Sequence, residues 1–312
     1  MPSSDARLAG LVGAGVASSL TPYAHMAEGR AQGIDYVFTH IDLTDLRLGV
    51  ERLPEILDWA ERLGFDGLNV THPCKQAVID HLDRLDPLAE AIGAVNTVLF
   101  TPEGRVGRNT DTTGFEAAFR TGMAGAAIER VVLLGAGGAG SAVADAVLRL
   151  GARRLDIVDL DEGRAALLAE RLSARHGAAE AAAAGTPGAA SAAPGDGIAV
   201  GGAAVGELPR LLAAADGVVH CTPRGMRDHP GAPFDPALLR PDLWVADIVY
   251  RPIDTELLRE ARSRGCRVLD GGGMAVFQAV EAFRLITGRE ADPERMTQHF
   301  RRLLDEERAP HH

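Results

Sequence analysis

Residues 130–140 read Arg130-Val-Val-Leu-Leu-Gly135-Ala-Gly-Gly-Ala-Gly140, an apolar run that ends in a glycine-rich turn. Val131–Leu134 predicts a short buried strand, and Ser141–Leu150 reads as a helix. A lone Gly-x-Gly-x-x-Gly is weak evidence, but strand, glycine turn and helix in this order are the context in which the motif holds a dinucleotide. Gly135 permits the tight turn, Gly137 lets the backbone approach a pyrophosphate, and Gly140 lets helix and strand pack closely. The N–H groups at the helix start then face the phosphates. Leu155-Asp-Ile-Val-Asp159 predicts the next strand, with an acid at its end 24 residues after Gly135. A carboxylate there accepts from the adenosine ribose hydroxyls and repels a 2′-phosphate, so NAD is expected ahead of NADP. Arg164, five residues on, pulls the other way, because an arginine there suits a 2′-phosphate or stacks on adenine. A glycine-rich turn without a ligand is the bland alternative, and the matching context weighs against it.

Outward from this unit, strand-like runs alternate with helical patterns, the signature of an α/β fold. Downstream, strands are expected at Ile198–Val200, Gly217–His220, Leu243–Asp247 and Cys266–Leu269, with final helices at Gly273–Thr287 and Pro293–Glu306. Upstream, strands are expected near Leu8–Ala14, Tyr36–Asp42, Gly67–Val70 and Ala94–Leu99. Helices are expected near Pro22–Gln32, Val50–Leu63 and Lys75–Leu82, the second carried by the amphipathic spacing of Leu53, Ile56, Leu57, Ala60 and Leu63. Ala174–Ala204 is rich in Ala, Gly, Ser and Pro, including Pro187 and Pro194. Part of it extends a helix, and a low-complexity insertion at about 177–197 reads as a surface loop without chemistry. A second unit, which carries the glycine-rich turn, starts near Arg130.

The chain has 312 residues, 46% hydrophobic and 24% charged, which fits a globular protein of two domains. A formal net charge of −11 argues against a nucleic-acid partner. No run of about 18 apolar residues is present, so no membrane span is expected. Leu8–Leu20 could pass for a signal-peptide core, but Gly10, Gly13 and Gly15 suit a first strand and its loop. Cys74, Cys221 and Cys266 have no metal or disulfide spacing and read as free thiols in a reducing cytoplasm. The histidines His40, His81, His220 and His229 form no metal spacing either, so no metal is expected.

Lys75 is the only lysine among 32 basic residues. An arginine is always charged and cannot shuttle protons, whereas a desolvated amine can. Chance placement on the surface is the competing explanation, and the neighbourhood decides between them. Pro73 favours a helix start, so Lys75 is expected in a first helical turn, where the positive end of the dipole helps an amine lose its proton. A nearby carboxylate pushes the other way. Asn109-Thr-Asp111-Thr-Thr-Gly114 supplies one, expected on a loop at the junction of the two units. Cys74 reads as a bystander. Ser19 lacks the setting of a hydrolase nucleophile.

The chain resembles the shikimate/quinate dehydrogenase family from Gly10 to about Phe300. The matching motifs are Ser19-Leu-Thr21-Pro22-x-x-His25, Asn69-Val-Thr71-His-Pro73-x-Lys75, Gly93-Ala-Val-Asn96-Thr97 and Asn109-Thr-Asp111-x-x-Gly114, followed by Gly135-Ala-Gly-Gly-Ala139. Thr222-Pro-x-Gly-Met226, Asp247-Ile-Val-Tyr250-x-Pro252 and Asp270-Gly271-x-x-Met274-x-x-x-Gln278-Ala continue the series. Their order and spacing together are specific. The resemblance implies an N-terminal α/β substrate domain, 1–113 with 275–312, to which the C-terminal helix returns, and a Rossmann-type dinucleotide-binding domain, 114–274. It implies reversible oxidation of the C3 hydroxyl of shikimate or quinate, with hydride passing to nicotinamide. It implies Lys75 and Asp111 as the catalytic pair, with Asn69 and Asn96 as hydroxyl or positioning contacts. Ser19, Thr21, Thr71 and Tyr250 match carboxylate and substrate-binding positions, and Gln278 matches a ring contact. Gly135, Ala136, Gly137, Gly138 and Ala139 match the dinucleotide turn, while Thr222, Met226, Ile248 and Gly271 match positions that line the cofactor.

Two departures point to the NAD-dependent quinate/shikimate type. Thr21 stands where biosynthetic shikimate enzymes usually carry Ser, and Asp159 stands where NADP-binding members carry an Asn-Arg-Thr run. The rival readings are an NADP-dependent biosynthetic shikimate dehydrogenase, an aminoshikimate-pathway relative, and a non-catalytic regulator binding quinate or nucleotide. Retention of Lys75 and Asp111 argues against the last. A small-molecule substrate, a cytoplasmic location and a monomer or homodimer complete the expectation. His72 reads as structural, His25 as capping or packing the first helix, and His311 and His312 as a tail.

Overall fold

The structure is a computed structural model describing residues 6–184 and 197–308. It divides into two compact units, Met1–Gly114 with Ala275–His312, and Phe115–Met274. Most of the expected low-complexity loop, with Pro187 and Pro194, lies outside the described residues, as do His311 and His312.

In the first unit six strands form one sheet: β1 (Arg7–Gly13), β2 (Tyr36–Asp42), β3 (Gly67–Val70), β4 (Arg84–Leu85), β5 (Thr97–Thr101) and β6 (Gly104–Arg108). The order is β2-β1-β3-β5-β6-β4. β1 runs parallel to both neighbours, and β5 and β6 turn back antiparallel. The helices are α1 (Thr21–Ala31), α2 (Leu53–Arg62), α3 (Cys74–Ala77), α4 (Pro87–Ile92) and α5 (Asp111–Gly122), whose last residues belong to the second unit. Leu53, Leu57 and Ala60 of α2 are buried at helical spacing while Trp59 is exposed, so this helix is held by its apolar stripe. A Cβ on Gly13 would lie 2.4 Å from Thr71 Cγ2 and 2.8 Å from the His72 carbonyl. Only glycine lets the ends of β1 and β3 approach this closely.

The second unit carries β7 (Arg130–Leu134), α6 (Gly138–Arg149), β8 (Arg154–Val158), α7 (Glu162–Ala184), β9 (Ala199–Ala203), α8 (Leu208–Ala214) and β10 (Gly217–His220). β11 (Trp244–Asp247), α9 (Glu256–Ser263) and β12 (Val268–Leu269) complete it. All pairs are parallel, in the order β12-β11-β10-β7-β8-β9. The strands are apolar on both faces, as a sheet covered on both sides requires. Leu133, Leu155 and Ile157 pack into one layer, and Val132, Val158 and Val218 into the other. The order reverses between β7 and β10, the switch point where doubly wound sheets take their ligands.

α10 (Gly271–Thr287) leads back to the first unit, and α11 (Pro293–Arg308) belongs to it. There Arg295 forks onto Glu28 of α1 at 2.6 and 2.7 Å. Burial alone would raise the Glu28 carboxyl. Hydrogen bonds from Arg295, the Asp292 amide and Gln32 outweigh it and hold the group below the usual carboxylate range. The two-domain α/β fold expected from the sequence is therefore what forms. Elements not anticipated are β4, β6, α4, α5, α8, α9 and most of α7, of which only the extension after Ala174 was expected; through Ala184 the first residues of the expected loop are helical. The strand expected at Ala94–Leu99 begins later, at Thr97, and the helix expected at Lys75–Leu82 is a single turn followed by a 3-10 turn, Val78–His81.

Candidate active site

At the C-terminal ends of β1 and β3, two strand-to-helix connections lie side by side, because Val12 of β1 pairs with Val70 of β3. The first connection carries Ser19 and runs into Thr21, the first residue of α1. Its backbone is gathered by Asp42 at the end of β2. One Asp42 oxygen accepts from Gly15 N at 2.9 Å and the other from Ala17 N at 2.7 Å. Burial pushes that carboxyl up, but the amides of Ala17, Thr44, Gly15 and Asp45 outweigh it and hold it low. Ser19 is buried, and its Oγ accepts from Thr21 N at 3.3 Å.

The second connection carries Thr71 and Lys75. Lys75 lies in the one-turn helix α3, and its carbonyl accepts from Val95 N at 2.8 Å. Lys75 Nζ donates to Asp111 Oδ2 at 2.5 Å. Asp111 is not on a loop: it is the first residue of α5 and is 4% exposed. A helix of one turn sums few peptide dipoles, so the dipole expected to act on Lys75 is small. Asp111 is the only hydrogen-bond partner of Lys75 Nζ among the described residues, and an ammonium has three N–H donors.

Asn96 organises the pair. Its Nδ2 donates to Asp111 Oδ1 and to Thr110 Oγ1, both at 2.9 Å. Its Oδ1 accepts from Thr110 N at 2.8 Å and from Thr97 Oγ1 at 3.1 Å. Both amide protons are spent inside the protein. Asn109 Oδ1 accepts from Asp111 N at 2.9 Å, and its Nδ2 donates to the Ala94 carbonyl at 3.0 Å. Thr110 Oγ1 lies 3.4 Å from Gln278 Oε1, which brings Gln278 of α10 to the same cluster.

Asn69 differs. Its Nδ2 donates to Thr97 Oγ1 at 3.0 Å and to the Asn96 carbonyl at 3.3 Å. Its Oδ1 is buried without a hydrogen-bond partner among the described residues. Such an acceptor costs about 1–3 kcal/mol when it stays unpaired. Thr97, Thr110 and Asn109 were inside quoted motifs but had no assigned role; only the fold shows what their hydroxyls and amide touch. Cys74, beside Lys75, is fully buried, and burial pushes its thiol up to about 11. His25 packs among Tyr36, Phe38 and Phe283, and burial pushes its imidazole down to about 3. His72 is exposed, and its carbonyl accepts from Ala14 N at 2.9 Å. Tyr250 is half-buried and lies in the other unit, three residues beyond β11.

In the second unit the dinucleotide turn behaves as its glycines require. Gly135 has φ +103, and a Cβ on Gly140 would sit 1.9 Å from the Gly135 carbonyl. Gly137 is the N-cap of α6, and a Cβ there would meet nothing within 4 Å. The backbone is therefore open to a pyrophosphate at a three-turn helix start, with Gly138 and Ala139 in the first turn. Asp159 ends β8. Its Oδ2 accepts from Ala136 N at 2.6 Å and its Oδ1 from Asp161 N at 2.9 Å. The carboxylate is pinned to the turn and keeps further lone pairs on both oxygens. Arg164 is exposed in the first turn of α7. A Cβ on Gly135 would lie 2.9 Å from Thr222 Cγ2, and one on Gly271 would lie 2.4 Å from the Ile248 carbonyl. Thr222 thus flanks the turn, while Ile248 and Gly271 touch each other. Met226 is exposed beyond them.

A family model for the shikimate dehydrogenase substrate binding domain matches residues 11–98. A shikimate dehydrogenase (NADP(+)) from Arthrobacter sp. is 53% identical over 297 residues, 95% of this chain and 95% of that protein. The chain belongs to the shikimate/quinate dehydrogenase family. A family relative from Corynebacterium efficiens, a quinate/shikimate dehydrogenase (NAD(+)), is 45% identical over 298 residues, 95% of this chain and 98% of that protein. Among solved structures, quinate dehydrogenase from Corynebacterium glutamicum in complex with NAD superposes with a TM-score of 0.83 at 44% identity. It covers 96% of this chain and 99% of that one. As a shikimate/quinate dehydrogenase the protein is an oxidoreductase that works with a nicotinamide dinucleotide. No helix among the described residues is long and apolar enough to cross a membrane.

Proposed function

We propose that the protein reversibly oxidises the C3 hydroxyl of shikimate or quinate with NAD. The observation that carries this reading is the Lys75–Asp111 contact of 2.5 Å, held in place by Asn96. In the oxidative direction a neutral Lys75 takes the hydroxyl proton while Asp111 fixes the amine and orients the substrate. In the reductive direction the Lys75 ammonium returns it. The nicotinamide, when bound, exchanges the hydride. Asn69 Oδ1 accepts from a ring hydroxyl, Gln278 lies against the ring, and Ser19, Thr21 and Thr71 supply hydroxyl donors for the substrate carboxylate. Tyr250 joins them by resemblance alone. Asn96 acts through Asp111.

Asp159 supports NAD: a fixed carboxylate at the end of β8 accepts from ribose hydroxyls and opposes a 2′-phosphate. A second reading, an NADP-dependent shikimate dehydrogenase, is favoured by the Arthrobacter relative's name at 53% identity and by Arg164. Steady-state kinetics with quinate and shikimate, each against NAD and NADP, tests both. The expected outcome is turnover of at least one substrate with kcat/KM higher for NAD than for NADP. A higher value for NADP makes the second reading the correct one.

A further inference from the structure

A buried polar chain closes the second unit beside the dinucleotide turn, and the proton chemistry at Lys75 does not use it. His220 ends β10 and stands in register with Asp247 at the end of β11 and with Leu134 at the end of β7. His220 is 0% exposed. Its Nδ1 lies 3.0 Å from Asp247 Oδ1, and its Nε2 lies 2.5 Å from Thr222 Oγ1. Asp247 also accepts from Thr255 Oγ1 at 2.7 Å and from Val249 N at 3.0 Å.

The proton positions follow from what each group can do. An ionised carboxylate only accepts, so Asp247 calls for a proton on His220 Nδ1. In the neutral ring Nε2 then carries a lone pair, and the Thr222 hydroxyl donates into it. A threonine has one hydroxyl proton; once that is spent, its oxygen can only accept. One acceptance goes to Arg224 N at 3.2 Å. A lone pair remains on a half-buried side chain whose methyl packs against Gly135.

The sheet says which part of the ligand meets it. β8, with Asp159 at its end, flanks β7 on one side, and β10 flanks it on the other. A dinucleotide crossing at this switch point places the adenosine ribose on the acid after the second strand, so its nicotinamide half extends over β10. The ribose hydroxyls and the carboxamide N–H groups of that half are donors. We propose that His220, pinned by Asp247, is a positioning residue that fixes the Thr222 hydroxyl as an acceptor for a donor on the nicotinamide half of the dinucleotide. The inference rests on the dinucleotide reading of this unit and adds a polarity to it.

Calorimetric titration of NAD+, NADP+ and ADP into wild type, and of NAD+ and ADP into Thr222→Val, His220→Gln and the double variant, tests it, together with 15N spectra of the histidine side chains. ADP lacks the nicotinamide half. Each single variant is expected to weaken NAD+ binding by about 3- to 10-fold, the worth of one neutral hydrogen bond, with ADP affinity unchanged. The double variant should bind NAD+ no worse than Thr222→Val, because His220 acts through Thr222. His220 Nε2 should be unprotonated with and without NAD+. Equal losses for ADP and NAD+, additive losses in the double variant, or a protonated Nε2 would each overturn the proposal. If circular dichroism finds His220→Gln unfolded, Thr222→Val and the wild-type spectra decide alone. Unchanged NAD+ affinity in Thr222→Val overturns the proposal only. Wild-type protein that binds neither NAD+, NADP+ nor ADP overturns the dinucleotide reading as well.

Discussion

Lys75 is placed so that one of its protons is held by Asp111 and two point elsewhere, a division that a guanidinium cannot reproduce because it does not deprotonate. Lys75→Arg is therefore expected to keep the ion pair and the positive charge while lowering kcat by about 10²–10⁴-fold, the usual scale of general acid–base catalysis. Near-wild-type turnover in that variant would remove Lys75 from the proton transfer. The residue was legible before any coordinates, since one lysine among 32 basic residues invites the question of why it is there. The framework around it was not. Asn96, Thr97 and Thr110 carry groups that both donate and accept, and their partners are settled only when β5 and the start of α5 meet. From the sequence Asn96 is equally a ligand contact or a support; in the fold both of its amide protons are donated within the chain. The sequence places Asp111 on a loop because Asn109–Gly114 stands at the junction of the two units. Burial of Phe115, Ala118 and Phe119 further along makes it a helix start instead.

The return of α11 to α1 turns on one pair of residues with unequal exposure. The Glu28 side chain is 0% exposed and that of Arg295 is 42% exposed. Removing the arginine strands a buried carboxylate, whereas removing the acid leaves an arginine that can turn to water. Arg295→Ala should therefore destabilise the protein by about 3 kcal/mol at pH 7, and Glu28→Gln by less. The sign of the pH dependence follows from the lowered Glu28 carboxyl. Its contribution is complete above the ordinary glutamate value of about 4.3 and is lost as pH falls through the folded-state value. Urea midpoints should show the Arg295→Ala penalty shrinking at acidic pH; a penalty that stays constant would mean the pair is not what joins these helices. At the same scale, long periodic elements such as α2 and α11 were legible because one face is apolar. α4 has borders that are readable in sequence: Asp86 accepts from Ala89 N at 2.7 Å, Pro87 follows, and Gly93 closes it with φ 65. β4 has two residues and β6 reads Gly-Arg-Val-Gly-Arg, so neither offers a pattern, and pairing with neighbours alone makes them strands.

Across the whole molecule, 43 acidic residues against 32 basic ones give a net charge of −11, and both proposed ligands are anions. NADP carries an extra phosphate, so the same field disfavours it more than NAD. Two contributions to cofactor choice can be told apart by distance. The summed surface charge acts over many ångströms and is screened within about 10 Å at 0.1 M salt. In the proposed NAD reading Asp159 acts at contact, where salt screens little, and its position is fixed by bonds from Ala136 N and Asp161 N. The NAD-over-NADP ratio of kcat/KM should therefore fall by about threefold between low salt and a few tenths molar, and then level off. Asp159→Asn removes the charge and leaves an amide oxygen to accept one of the two backbone bonds. At about 1–4 kcal/mol for a close charge pair, it should reduce the salt-independent remainder by about tenfold or more while the salt-dependent part persists. A remainder that survives in Asp159→Asn would move the discrimination away from the end of β8 to other residues of the cofactor site. A wild-type ratio that drifts to unity with salt would assign the preference to net charge alone.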